Sequence, residues 1–181
     1  MNVMKTELRA EMRRIRRSIV DGAGRVDALW TSVLAACREL GARTVMAFVG
    51  VGSEPDTTGL IELLRSNGIT VVLPRIEGDH IVGVVHAHGM NLAIGPFGIP
   101  APTGSAIEPT TIDVVLLPGL AFTRDGRRLG QGGGFYDRFL PLLGPDATTI
   151  GVCFREQLVE QLVTEPHDRI VDLVISDDVR E

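Results

Sequence analysis

Between Arg127 and Asp137 the chain places two arginines, four glycines and an aspartate in an order suited to holding an anion. Gly130, Gly132, Gly133 and Gly134 carry no side chains, so the backbone can come close to a ligand. Successive N–H groups in such a turn, with the N-terminus of a following helix, make an anion site. Arg127 and Arg128 add charge-assisted hydrogen bonds to phosphate. A Cβ on Gly133 is expected to intrude on that phosphate. Asp137, just beyond the glycines, is placed to hold Mg2+ against it. Spacing alone leaves the reading open. Gly130-x-Gly132-x-Gly134 is neither a Walker loop nor a dinucleotide fingerprint, and a ligand-free glycine-rich loop has the same letters.

Other chemistry-bearing residues are less specific. His86 and His88 alternate, so on a strand both face one way, but with His80 they lack a third ligand at metal spacing and read as surface or loop histidines. Trp30 reads as core. Cys37 and Cys153 sit in no metal or redox motif and read as buried thiols of a reducing compartment. Lys5 and Arg9 are four residues apart and so share a helical face. With Arg13, Arg16 and Arg17 they otherwise read as a solvated basic face.

The elements that must position these residues alternate. Leu8, Met12, Ile15 and Ile19 predict a helix from Lys5 to about Val20, broken by Asp21 to Gly24. A second runs from Arg25 to Leu40, with Gly41 closing it. Thr44–Val49, Ile69–Leu73, Asp113–Leu117 and Thr149–Phe154 are apolar runs of the kind buried on both faces of a sheet. Thr57–Ser66 is the helix between the first two, and Pro74 is expected to end the second. His80–His88 is a weaker strand, and Asn91–Pro109 reads as loop. Phe135–Leu143 and Gln157–Leu162 read as helices, and Leu173–Ile175 as a last strand. The pattern predicts an α/β fold: a three-layer, open, mostly parallel twisted sheet with helices on both faces, built as one domain over 1–181. Ligands of such sheets bind at the carboxyl ends of the strands, where these glycines and polar residues gather.

Bulk properties exclude other classes. The net charge of −5 disfavours general nucleic-acid binding. No run of about 18 apolar residues suggests a membrane span. The charged start after Met1–Lys5 is not expected to be a secretory leader, so a cytoplasmic monomer is the expectation.

The stretch from Pro118-Gly-Leu-Ala-Phe122 to Asp137 resembles the 5-formyltetrahydrofolate cyclo-ligase family, with its Pro-Gly-x-Ala-Phe followed by Arg-x-Gly-Arg-Gly-x-Gly-Tyr-Tyr-Asp. Lys5-Thr-Glu-Leu-Arg9, the segment from Phe48 to Thr57, and Pro166-His167-Asp168 fall in family order, so the resemblance spans nearly the whole chain. It implies ATP- and Mg2+-dependent closure of 5-formyltetrahydrofolate to 5,10-methenyltetrahydrofolate, with 5-formyltetrahydrofolate and ATP as partners. By position it implies ATP contacts at Lys5, Arg9, Arg128, Leu129, Gly130, Gln131, Gly132, Gly133, Gly134, Phe135 and Tyr136. It implies catalytic roles for Lys5, Arg9 and Tyr136, folate contacts at Val51, Asp56 and Tyr136, and Mg2+ carboxylates at Asp137 and Asp168. Asp56 equally suits a helix cap ahead of Thr57. The chain departs from the family at Gln131, where arginine is usual, at Phe135, and at Asp56, where glutamate is common. Two other readings stand beside this one: a non-catalytic folate- or nucleotide-binding protein on the same fold, and a sugar-phosphate enzyme on a similar sheet.

Overall fold

Strands with apolar side chains on both faces need cover on both sides, and the structure supplies it. The computed structural model describes residues 2–19, 24–165 and 168–177. The predicted break at Asp21–Ala23, and Pro166 and His167, lie outside them. The helices are α1 (Asn2–Ser18), α2 (Arg25–Glu39), α3 (Thr58–Ser66) and α4 (Phe135–Phe139). The strands are β1 (Thr44–Met46), β2 (Thr70–Glu77), β3 (His80–Val85), β4 (Leu92–Ile94), β5 (Pro100–Pro102), β6 (Ala106–Ile107), β7 (Val114–Leu117), β8 (Ala121–Phe122), β9 (Arg128–Leu129), β10 (Thr148–Cys153) and β11 (Leu173–Ser176).

Seven strands form one sheet in the order β11-β10-β7-β1-β2-β3-β6. The first five are parallel; β3 runs against β2, and β6 against β3. Alternate residues serve opposite faces. Val45, Val71, Leu116 and Ile150 meet Leu29 and Val33 of α2 and Leu60 and Leu64 of α3. Met46, Val72, Val115 and Leu117 meet Phe139 of α4 on the other face. The expected three-layer, mostly parallel arrangement is what forms. Trp30 is core, donating from Nε1 to the Asp56 carbonyl at 3.1 Å. Both cysteines are buried, and burial pushes their thiols up to about 11 for Cys37 and about 12 for Cys153.

Local expectations fail where tertiary partners override them. Strand β2 passes through Pro74 to Glu77. The Val71 carbonyl accepts from His86 N, so the opposite parity, with Pro74, turns its nitrogen towards β1. That strand has already ended at the Met46–Val72 pair, so the missing N–H costs no ladder bond. The 91–109 segment is not all loop: it holds the β4–β5 hairpin and β6. Gln157–Leu162 is not a helix. Its first residue turns inward, where Nε2 bonds the carbonyls of Gly119 and Leu120, and Leu158 bridges Phe122 in an extended conformation. His86 is buried and His88 exposed, because β3 ends at Val85 and strand alternation no longer applies.

Helix α1 covers neither face of the sheet. Met12 packs on Leu120, Ala121, Leu129 and Leu162, across the β8–β9 hairpin that follows β7. The hairpin lies close because Gly119 and Gly151 leave room for the Phe122 ring; a Cβ on Gly151 would stand 2.4 Å from it. The basic side of α1 is not wholly solvated. Arg16 is 6% exposed and donates to Ser53 Oγ at 3.0 Å, Glu54 Oε1 at 3.3 Å and the Gly119 carbonyl at 3.4 Å. Burial pulls its guanidinium below its ordinary value, and Glu54 partly offsets this. Removing one partner of a buried pair strands the other. Arg16→Met is therefore expected to lower stability by about 3 kcal/mol, and Arg16→Met with Glu54→Gln by less. Urea unfolding of the three proteins checks this; an unchanged midpoint for Arg16→Met would return the residue to the solvated face.

Candidate functional site

The loops beyond the carboxyl ends of β1 and β7, the β2–β3 hairpin and the β4–β5 connection enclose a cavity of about 610 Å3. One wall is apolar: Phe48, Val51, Pro74, Ile81, Phe97 and Phe135. The other carries Arg9, Arg128, Asp137, Glu165 and Asp168 around residues 130–134.

The glycine loop is shaped by what surrounds it. Gly132 has φ +105°, a conformation that strains any other residue, and a Cβ there would come within 3.5 Å of the Arg9 guanidinium. Gly134, at φ +64°, precedes α4. A Cβ on Gly133 would meet the Phe135 ring at 2.8 Å, so a side chain there would also disturb the aromatic wall. Helix α4 has five residues, too short to lend much dipole. The anion-binding capacity therefore falls to the loop's own N–H groups and the arginines beside it.

Those cations reach the loop from two directions. Arg9 Nε donates to the Gly130 carbonyl at 3.1 Å. Arg128 Nη2 donates to Asp137 Oδ1 at 2.8 Å, and its guanidinium lies 5.8 Å from the centre of the Tyr136 ring. Its Nε is buried with no hydrogen-bond partner among the described residues, a donor in want of an acceptor. Arg127 does not join them: it pairs with Asp125 at 3.0 Å and lines none of the cavity. Gln131, exposed, accepts from Arg13 Nε at 3.3 Å through Oε1 and from Arg13 Nη2 at 3.4 Å through its carbonyl. A guanidinium thus stands beside the amide after all, brought by α1.

Lys5 is buried, with Nζ 2.6 Å from Asp168 Oδ2 and 2.7 Å from Glu165 Oε2. Burial works against the ammonium, but the hydrogen bonds to Asp168 and Glu165 overcome it and hold Lys5 above its ordinary range. Asp137 and Asp168 line the same cavity and are close in space. The backbone N–H of Arg169, next to Asp168, donates to Asp137 Oδ1 at 3.4 Å. Asp137 Oδ2 has no hydrogen-bond partner among the described residues. Hard carboxylate oxygens at one cavity wall suit a hard divalent ion. Each already faces a cation, so a metal ion there would have to share them with Lys5 and Arg128.

Tyr136 stands where the two walls meet. Burial, then the charge of Glu54, pushes its phenol upward, so it stays protonated and can donate. Val51 and the buried Leu129 both line the cavity. Asp56 does not line it. Its exposed carboxylate accepts from Thr58 N at 2.9 Å in a turn ahead of α3, and that bond holds it below the ordinary carboxylate range. The acid that lines the cavity in this loop is Glu54, held by Arg16 and by Val51 N at 3.3 Å. Glu54, Glu165 and Phe97 were not singled out from the sequence, and Arg16 was read only as part of a solvated face. Only Glu165 had a usable signal, lying one turn before Asp168.

Comparisons with known proteins show what the chain as a whole is similar to. The model of the 5-formyltetrahydrofolate cyclo-ligase family matches residues 1–177. The chain is 35% identical over 178 residues to the 5-formyltetrahydrofolate cyclo-ligase of Mycolicibacterium smegmatis, covering 91% of this chain and 89% of the relative. It is 28% identical to that of Mus musculus, covering 98% and 95%. The solved structure of Aquifex aeolicus 5,10-methenyltetrahydrofolate synthetase superposes with a TM-score of 0.85 at 26% identity, covering 97% of this chain and 90% of the other.

The Lys5 cluster makes a prediction about alkaline stability. A lysine raised on folding contributes stability that is fully present below its ordinary value, 10.5, and is lost as pH rises through the folded value. The stability gap between wild type and Lys5→Met should hold steady from neutral pH to about 10 and narrow above it. Urea unfolding across pH measures the gap; one that widens above pH 10 reverses the sign and removes the argument.

Proposed function

Because the chain belongs to the 5-formyltetrahydrofolate cyclo-ligase family and carries its ATP-dependent activity, we propose that the charged wall of the cavity takes the nucleotide and the apolar wall takes the folate. The observation behind this is the contact between the two walls at Tyr136 and Arg128, where a phosphoryl group and a formyl oxygen can meet. The formyl oxygen on N5 is a poor leaving group. Transfer of the γ-phosphoryl group forms an O–P bond to it and breaks the bond to ADP. N10 then attacks the activated carbon and gives up its proton, and the C–O bond breaks with phosphate leaving.

The protein has little covalent chemistry to do, and its work is positioning and charge neutralisation. Lys5, Arg9 and Arg128, with the N–H groups of residues 130–134, hold the phosphates. The orphaned Arg128 Nε is a donor ready for an oxygen that gains charge. The Tyr136 phenol, kept protonated, donates to the formyl or phosphoryl oxygen. Val51, Phe97 and Phe135 enclose the pterin. Asp137 and Asp168 would hold Mg2+, which when bound neutralises phosphate charge. The working unit we propose is a monomer, in the cytoplasm. No helix among the described residues is long and apolar enough to cross a membrane.

Two experiments test the assignment. With Asn at Asp137, at Asp168 and at both, product formation followed by near-ultraviolet absorbance should show the double variant losing less than the product of the single losses. That shortfall should respond to Mg2+. Strictly multiplicative losses insensitive to Mg2+ would mean the two aspartates share no ion. The folate wall is tested separately: Glu54→Gln should raise the folate KM about tenfold, the loss of a charged hydrogen bond to the amino-pyrimidine edge. Asp56→Asn should leave it within about twofold, with stability changed by less than about 0.5 kcal/mol, since an asparagine oxygen can accept the same bond from Thr58 N. The opposite ranking would return the contact to Asp56.

A further inference from the structure

We propose that Arg138 is a positioning residue that sets the shape of the glycine loop from outside the cavity. The proposal rests on that loop being the phosphate site.

Residues 130–134 include four glycines, which lose more conformational freedom on ordering than other residues. For the loop to bind an anion, its carbonyl oxygens must be turned away from the ligand. Three arginines take one carbonyl each: Arg9 at Gly130, Arg13 at Gln131, and Arg138 at Gly133, with Nη2 2.9 Å from the oxygen. Only the Arg138 guanidinium carries its hold further into the sheet. Its Nε and Nη2 donate to the Asp79 carbonyl, in the turn between β2 and β3, at 2.9 and 2.5 Å. It stacks 5.2 Å from the centre of the Phe135 ring, which itself meets Phe97 edge-on at 6.3 Å. A Cβ on Gly134 would stand 2.8 Å from Arg138 Nη1, so the guanidinium fills the space that this glycine leaves. The loop is thereby fastened to the sheet and to the aromatic wall through one side chain. A planar fork with fixed donors can bridge two carbonyls; a lysine ammonium can reach one of them but lacks that geometry.

Arg138 does not itself line the cavity; it acts through Gly133, Gly134 and Phe135, which do. Its hydrogen bonds are to the loop and to the β2–β3 turn, so its loss should change chiefly where the loop's N–H groups point and much less what the folate meets. Arg138→Ala is expected to raise the ATP KM about tenfold, the scale of a lost charge-assisted bond, with the folate KM within about twofold and the melting temperature nearly unchanged, since surface substitutions rarely cost more than about 0.5 kcal/mol. Calorimetric binding of a non-hydrolysable ATP analogue should weaken in the same proportion. Arg138→Lys should recover less than half of the loss on a logarithmic scale. Full recovery by lysine would mean that charge alone matters and would overturn the proposal. So would an unchanged ATP KM in Arg138→Ala, or losses in both KM values in step with the melting temperature. Gly132→Val is the control. If it also leaves the ATP KM unchanged, the loop is not the phosphate site. If it raises the ATP KM while Arg138→Ala does not, only the role of Arg138 fails.

Discussion

Lys5, Arg9, Arg13 and Arg16 recur at three- and four-residue intervals along α1, and between them they reach separate pieces of chain. Lys5 takes Glu165 and Asp168, Arg9 and Arg13 take the glycine loop, and Arg16 takes the loop after β1 and the turn after β7. The carboxyl ends of parallel strands leave such loops without ladder partners. Met12, on the same stripe, supplies the apolar contact that seats the helix. Without this row of cations the sheet would still have its core, but the walls of the cavity would have no fixed relation to one another.

The sheet was legible in the sequence because its strands are buried on both faces, so each appears as an unbroken apolar run flanked by turn residues. The cavity was legible only in part. Its glycines and aspartates announce themselves through spacing. The residues that hold them were hidden: a lysine or arginine on an amphipathic helix looks the same whether it meets water or a buried carboxylate. Arg16 and Glu54 illustrate this, 38 residues apart, each the reason the other can be buried. Asp56 fails in the opposite direction. Its letter suits two roles, and the exposed turn before α3 offers the local one first. Gln157 and Pro74 were misread because a single tertiary partner, or the end of a neighbouring strand, outweighs propensity.

The site is built with its charges already paired. Lys5 faces two carboxylates, and Arg128 faces Asp137. Buried ions of this kind are tolerable only with partners, so the ligand-free protein avoids stranded charge. On the proposed assignment, binding of phosphates would be an exchange, in which each cation trades a carboxylate for a phosphate oxygen. The released carboxylates would then be free to meet a divalent ion, which would favour nucleotide and metal arriving together over either alone.

The ion pair between α1 and the segment before β11 also bears on the order of synthesis. Lys5 and Glu165 are 160 residues apart. A ribosome adding about 5–20 residues per second takes roughly 8–32 s to reach the partner after adding the lysine. Throughout that interval β1, β2, β7 and their helices can assemble, while the basic stripe of α1 stays without its last acids. The cavity is thus among the final parts of the nascent chain to close, and a stalled or truncated chain would hold much of the sheet while Lys5 still lacked its counter-ions.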